Sequence, residues 1–228
     1  MYADYRLADL TQKMKIMQIR PLDVMVTGVT GAGKSTTLNS LFEKCVAKVG
    51  NGVDPETMNL TSYMLNDVAR FWDTPGLGDG VERDKIHAKK IVDLLYKTYN
   101  VDGRNYGWID MVLVIIEGIN RDMGSTYRLL NEIIVPNFQR DRILVAINQS
   151  DVAMKGRHWD SYYNRPDDTL ESFLNEQANS IQRRVREATG VNIIKPVYYS
   201  GEYSYNVNKL MDLIIDNIPV NRRDLVIR

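Results

Sequence analysis

Residues 28 to 36 read Gly28-Val29-Thr30-Gly31-Ala32-Gly33-Lys34-Ser35-Thr36, a G-x-x-x-x-G-K-S pattern. It follows an apolar, β-branched run from Leu22 to Thr27 and precedes a stretch of helical spacing from Lys34 to about Val46. That context matters more than the pattern. Glycines let consecutive backbone N–H groups turn inward, and the start of a helix adds partial positive charge facing an anion. A strand, a glycine loop and a helix in this order predict a phosphate cradle, with Lys34 reaching the terminal phosphates and the Ser35 hydroxyl ligating Mg²⁺. The bland reading is a glycine-rich turn before a helix.

Short apolar runs alternate with amphipathic ones along the rest of the chain. Strands are expected near Leu22 to Thr27, Asn59 to Leu65, Ala69 to Trp72, Met111 to Ile116, Ile143 to Ile147 and Pro196 to Tyr199. The dipeptide Asn66-Asp67 between the second and third runs predicts a hairpin and thus one antiparallel edge strand. Helices are expected from Lys34 to about Val46, Glu82 to Tyr99, Thr126 to Ile134, Asp168 to about Ala188 and Val207 to Asn217. Asp168 to Glu171 has the form of a capping box, and Gly190 is placed to end that helix. The fold expected is α/β, a P-loop NTPase with about six mostly parallel strands and helices on both faces. Residues 1–20 are expected to form an N-terminal amphipathic helical segment, with Leu7, Leu10, Met14 and Met17 at helical spacing, residues 21–220 the nucleotide-binding domain and 221–228 a C-terminal tail.

Two further tetrads fall at strand ends. Asp73-Thr74-Pro75-Gly76 lies 39 residues past Lys34 (73 − 34). Its Asp73 can hold Mg²⁺ through a water, and the Gly76 N–H can meet a γ-phosphate and release when it is gone. Standing alone it reads equally well as a Pro-Gly turn. Asn148-Gln149-Ser150-Asp151 follows the fifth strand. The Asp151 carboxylate can accept two hydrogen bonds from the guanine N1–H and amine, where adenine offers no such pair of donors. The plain alternative is a helix N-cap, but the carboxyl end of a sheet strand is where open α/β sheets bind ligands.

With these three motifs in this order, the chain resembles the translation-factor-related P-loop GTPases. The segment Asp73 to Asp79 is similar to the Era-like and HSR1-related branch, including prophage-associated 50S-ribosome-binding-type GTPases, and the phosphate loop resembles those of septins and immunity-associated GTPases. The resemblance implies base contacts from Ser200 and the backbone of Gly201, and a Mg²⁺ and γ-phosphate sensor at Thr57, with Thr61 or an ordinary loop threonine as rivals. It also implies GTP or GDP with Mg²⁺ as ligands and allows a ribosome or RNA partner. Three positions depart from the pattern. Gln149 replaces the lysine expected along the base, Ser200-Gly201-Glu202 keeps only the serine of its motif, and Leu77 stands where related enzymes carry a water-orienting glutamine. Gly31 likewise replaces the phosphate-loop asparagine through which some relatives recruit potassium.

Composition narrows the classes. Lys plus Arg and Asp plus Glu each number 29, so zero net charge gives no field for holding nucleic acid. The single cysteine, Cys45, excludes an internal disulfide and fits a cytoplasmic location. The longest apolar run, Met111 to Ile116, is far short of the roughly 20 residues that span a bilayer. The function expected is a guanine-nucleotide switch that hydrolyses GTP slowly. Its catalytic set is Lys34, Thr57 and Gly76, completed by a nucleotide-dependent homodimer or another partner. The alternatives are a GTP-gated interaction module with negligible hydrolysis and a P-loop ATPase. Arg83, Arg104 and Arg121 are surface arginines able to serve as fingers, although a solvated role suits each better.

Overall fold

The computed structural model describes residues 2–18, 21–44, 46, 60–78, 80–119 and 123–225. Thr57, Cys45 and Arg121 lie outside the described residues.

The inner strands of the central sheet form where an apolar run allows both of their faces to be covered, whereas the edge strand Thr61–Asn66 is mostly exposed. β1 (Leu22–Gly28) is buried along its whole length. It pairs in parallel with β3 (Ala69–Asp73) on one side and β6 (Met111–Glu117) on the other. β7 (Ile143–Asn148) and β10 (Val197–Tyr198) extend the parallel sheet beyond β6. β2 (Thr61–Asn66) closes the other end antiparallel to β3, giving the order β10-β7-β6-β1-β3-β2. The turn between β2 and β3 is held by Asn66, whose side-chain oxygen accepts the Val68 N–H at 3.1 Å. Alternation splits the core in two. Val24, Val26, Leu113 and Ile115 face one apolar layer, and Met25, Val112, Val114 and Ile116 the other.

The first layer is covered by α1 (Leu7–Met17), α2 (Lys34–Phe42) and α7 (Val207–Asp216). The second is covered by α3 (Val81–Leu95), by α4 (Gly124–Arg128) with its continuation, and by α6 (Asp168–Thr189). α1 buries Leu10, Met14 and Met17, and Arg6 just before it pairs with Asp212 and Asp216 of α7. At α6 the cap is Asp167, one residue earlier than the sequence pattern suggested, its carboxylate accepting the Thr169 and Leu170 N–H groups at 3.0 Å.

Three other elements differ from expectation. α2 ends at Phe42 rather than near Val46, because Glu43 turns left-handed at φ 52°. α3 ends at Leu95 rather than Tyr99, since Thr98 begins a hairpin of β4 (Thr98–Val101) and β5 (Arg104–Gly107) around Asp102-Gly103, both at positive φ. α4 passes into a π-helical stretch over Leu129–Ile134 and a last turn, α5 (Val135–Asn137), containing Pro136. A small hairpin of β8 (Trp159–Asp160) and β9 (Arg165–Pro166) also follows β7.

At the end of the sheet away from the motifs lies a cluster of charge and aromatic rings. Asp23 accepts from two of the three guanidinium nitrogens of Arg70, Nε at 2.6 Å and Nη2 at 2.9 Å, and from the Trp72 indole N–H. Asp110 accepts the Asp23 N–H at 2.9 Å, and burial pushes its carboxyl up to about 7. Beside it a cavity of about 130 Å³ is lined by Pro21, Asp23, Arg70, Tyr99, Trp108 and Asp110. The strap after α7 crosses this end. Arg223 is buried, donating to the carbonyls of Ile109 and Leu95, and the Gly107 N–H donates to the Arg223 carbonyl at 2.7 Å.

Candidate functional site

Three loops meet at the carboxyl ends of β1, β3 and β7, where the strand order reverses about β1. The first turns from Gly28 into α2. Gly33 caps the helix at φ 82°, and a Cβ there would fall on the Asn148 side-chain amide. Lys34 is buried and folds back over the loop, its Nζ donating to Val29 O at 3.0 Å and Gly28 O at 3.3 Å. Ser35 Oγ lies 3.5 Å from Asp73 Oδ2, so the end of β3 meets the start of α2. Thr37, two residues on in the helix, donates to Gly33 O at 2.7 Å, so the buried Tyr199 hydroxyl must be the donor in its 2.6 Å contact with Thr37.

The second loop packs against the first. The Thr30 N–H donates to Leu77 O at 2.8 Å. A Cβ on Gly76 would lie 2.5 Å from Thr30 Oγ1 and 2.7 Å from its Cα, so only glycine fits that approach. Leu77 turns into the core.

Asn148 joins the third loop to both ends of the cradle. Its amide nitrogen donates to Ala32 O at 3.1 Å and Gly33 O at 3.3 Å, while its oxygen accepts the Gly201 N–H at 3.0 Å. Gln149, left-handed at φ 62°, donates from Nε2 to Gly31 O at 2.8 Å. The amide therefore braces the phosphate loop without bringing charge. Asp151 is half-exposed, and no hydrogen bond among the described residues engages its carboxylate. Ser200 is buried and its Oγ accepts the Tyr203 N–H at 3.2 Å. Gly201 sits over Thr36, which a Cβ would touch at 3.4 Å.

Residues 23–179 match the sequence profile of the family described as 50S ribosome-binding GTPase (MMR_HSR1). The chain belongs to the 50S ribosome-binding GTPase family. Among curated relatives of this GTPase, translocase of chloroplast 126 of Physcomitrium patens is 39% identical over 77 residues, 32% of this chain and 6% of that protein. Dynamin-like protein 1 of Campylobacter jejuni is 33% identical over 99 residues, 41% of this chain and 13% of that protein. The chain thus spans only a small part of either. In fold, it is similar to Toc33 of Arabidopsis thaliana in complex with GDP and Mg²⁺, with a TM-score of 0.64 and 18% identity over 97% of this chain and 94% of Toc33. For atToc33 and psToc159, dimerization is important for GTPase activity.

Ser35 and Asp73 offer this GTPase a hydroxyl and a carboxylate, hard oxygen donors suited to magnesium. Among the described residues no cluster of three His, Cys, Asp or Glu could hold a metal. An ion there would draw its remaining ligands from phosphates and water.

Sequence reading passed over three side chains at the site. Glu117 ends β6 beside Gly31, whose Cβ would lie 3.2 Å from its carboxylate; burial raises the Glu117 carboxyl and Lys34 opposes that rise. Its place at the end of a parallel strand is the signal that could have found it. Tyr199 fixes the first turn of α2 through Thr37. His87 of α3 is buried, with Nδ1 2.7 Å from Gly76 O. For these two the contact depends on the folded chain, and no local pattern marks it.

Proposed function

We propose that this protein is a Mg²⁺-dependent guanine-nucleotide switch that hydrolyses GTP slowly by itself. The observation that carries the reading is Asn148, bonded at once to the phosphate loop and to Gly201, which makes one cradle of the first and last loops. In this reading the backbone of Gly28, Thr30, Gly31, Ala32 and Gly33 lines the phosphates, and Lys34 swings from its carbonyl partners to the β- and γ-oxygens. Thr36, Ser200 and Gly201 flank the nucleoside, and Asp151 accepts from the guanine edge. Gly76 offers its N–H to the γ-phosphate, and Thr57 is the second sensor. Mg²⁺, held through Ser35, Asp73 and Thr57, would neutralise charge developing on the phosphates.

Slow turnover follows from Leu77. Its side chain is buried and its carbonyl is taken by Thr30, so the glutamine position of related enzymes holds no group that could orient water. The same observation favours a second reading, a GTP-gated interaction module with negligible hydrolysis. Self-association across the nucleotide face is the proposed source of the missing group. Exposed Val81, Ile119 and Val152 adjoin the three loops and give such a face apolar surface. A ribosome or RNA partner rests on the family description alone.

The test is binding of GDP, GTP and ATP to the protein and to Asp151→Asn. The wild type should prefer guanine nucleotides, and the variant should lose that preference by at least tenfold. An unchanged preference in the variant would remove the base-recognition assignment, and equal binding of ATP would favour the ATPase alternative.

A further inference from the structure

The Asp73–Gly76 turn and the two residues after it have three consecutive attachments. Gly76 O is bonded by His87, Leu77 O by the Thr30 N–H, and the Gly78 N–H donates to Asp84 Oδ1 at 2.9 Å. Two of the three come from α3, from its first and second turns. The His87 contact differs from the Asp84 one because it is dry: the side chain is 2% exposed, whereas the Asp84 bond faces solvent. A carbonyl only accepts, so the 2.7 Å contact requires the proton on Nδ1. Gly76 is therefore held at its carbonyl by His87 and pressed at its Cα against Thr30, and these two constraints leave little freedom in the direction of its N–H.

We propose that His87 is a positioning residue for the triphosphate state: by fixing the Gly76 carbonyl it aims the Gly76 N–H at the γ-phosphate. The proposal rests on the GTPase reading above. A diphosphate makes no use of Gly76, so holding this glycine raises affinity for the triphosphate selectively. Loss of the bond should then act on the ratio of the two affinities. A histidine that only packs α3 against the sheet would act on both alike.

The experiment uses the full chain with GDP and GMPPNP. His87→Ala should weaken GMPPNP binding about tenfold while GDP binding changes less than about twofold, the size expected for one buried hydrogen bond. His87→Asn, whose amide can donate from near the Nδ1 position, should restore most of the ratio, and His87→Gln should restore less. Equal loss of both nucleotides, together with a lowered unfolding temperature, would overturn the proposal and leave His87 as packing. A readout free of mutation is ¹⁵N NMR of the imidazoles, since the chain has only two histidines. His87 should appear as the Nδ1–H tautomer with a resonance that moves between GDP and GMPPNP, while His158, paired with Asp167, stays still. An unprotonated Nδ1, or a His87 signal indifferent to nucleotide, would overturn it. Wild-type protein that binds GDP with guanine preference yet gives either result loses only the His87 role; wild type that ignores guanine nucleotides loses the underlying reading.

Discussion

Replacing Asp110 with asparagine should change how stability responds to pH. Asp110 is pushed from 3.8 to about 7, first by burial and then by the Asp23 charge, against the Asp23 N–H bond and the Arg142 and Arg223 guanidinium groups. Between those pH values the folded chain keeps a proton that the unfolded chain has released, so stability falls as pH rises through the window. At about 1.4 kcal/mol per pH unit, a rise of about 3 units corresponds to ~4 kcal/mol lost by pH 8 relative to pH 4. Asparagine does not titrate. Its oxygen can still accept the Asp23 N–H, and its nitrogen would face the small cavity beside Trp108. The assay is urea unfolding of both proteins, without nucleotide, from pH 4 to pH 8.5, reading the difference between them. With a slope of about 2 kcal/mol per molar urea, the difference in midpoint should move by roughly 2 M in favour of the variant across the range. Parallel curves would refute the reasoning, because they would mean that Asp110 is ionised in the folded chain throughout and balanced by the two buried arginines.

Two other outcomes follow from the site. Gly33→Ala places a Cβ on the Asn148 amide at a left-handed position, and should abolish nucleotide binding measured by calorimetry while the far-UV spectrum stays that of the wild type. If self-association supplies the group that Leu77 cannot, phosphate release per molecule should rise steeply from nanomolar to high micromolar protein. Flat turnover without a partner would exclude self-activation, and no multiple turnover at any concentration would favour the gated module.

Much of the sheet was legible because its signals are local. Strands buried on both faces leave unbroken apolar runs such as Met111–Ile116, and Asn66-Asp67 marks the antiparallel turn of the central sheet. The strap and the β4–β5 hairpin were harder. Asp102-Gly103 carries a turn signal, but the helical spacing of α3 runs into Thr98 and masks it. Arg223, exposed by any composition rule, is buried because two carbonyls, the Gly107 N–H and Phe138 are assembled around it only in the folded chain. At the site the motifs announce themselves one by one, and the ties between them do not. Gln149 reads as a lost lysine, yet its amide reaches a carbonyl 118 positions away. His87 reads as an isolated imidazole on a helix face.

The far end of α3 sets a limit on what its near end can do. Arg223 seizes the Leu95 carbonyl at the last turn, about 12 Å along the helix from His87 and about 17 Å from Asp84, the residues that hold Gly76 and Gly78. A rod clamped at one tip and tethered at the other cannot slide; it can only pivot. A rearrangement of Gly76 that carried this helix with it would then be an arc about the arginine, widest beside Gly76 and smallest at the strap. A binding protein gripping the first turns of this helix would feel that swing, while one gripping its base would not.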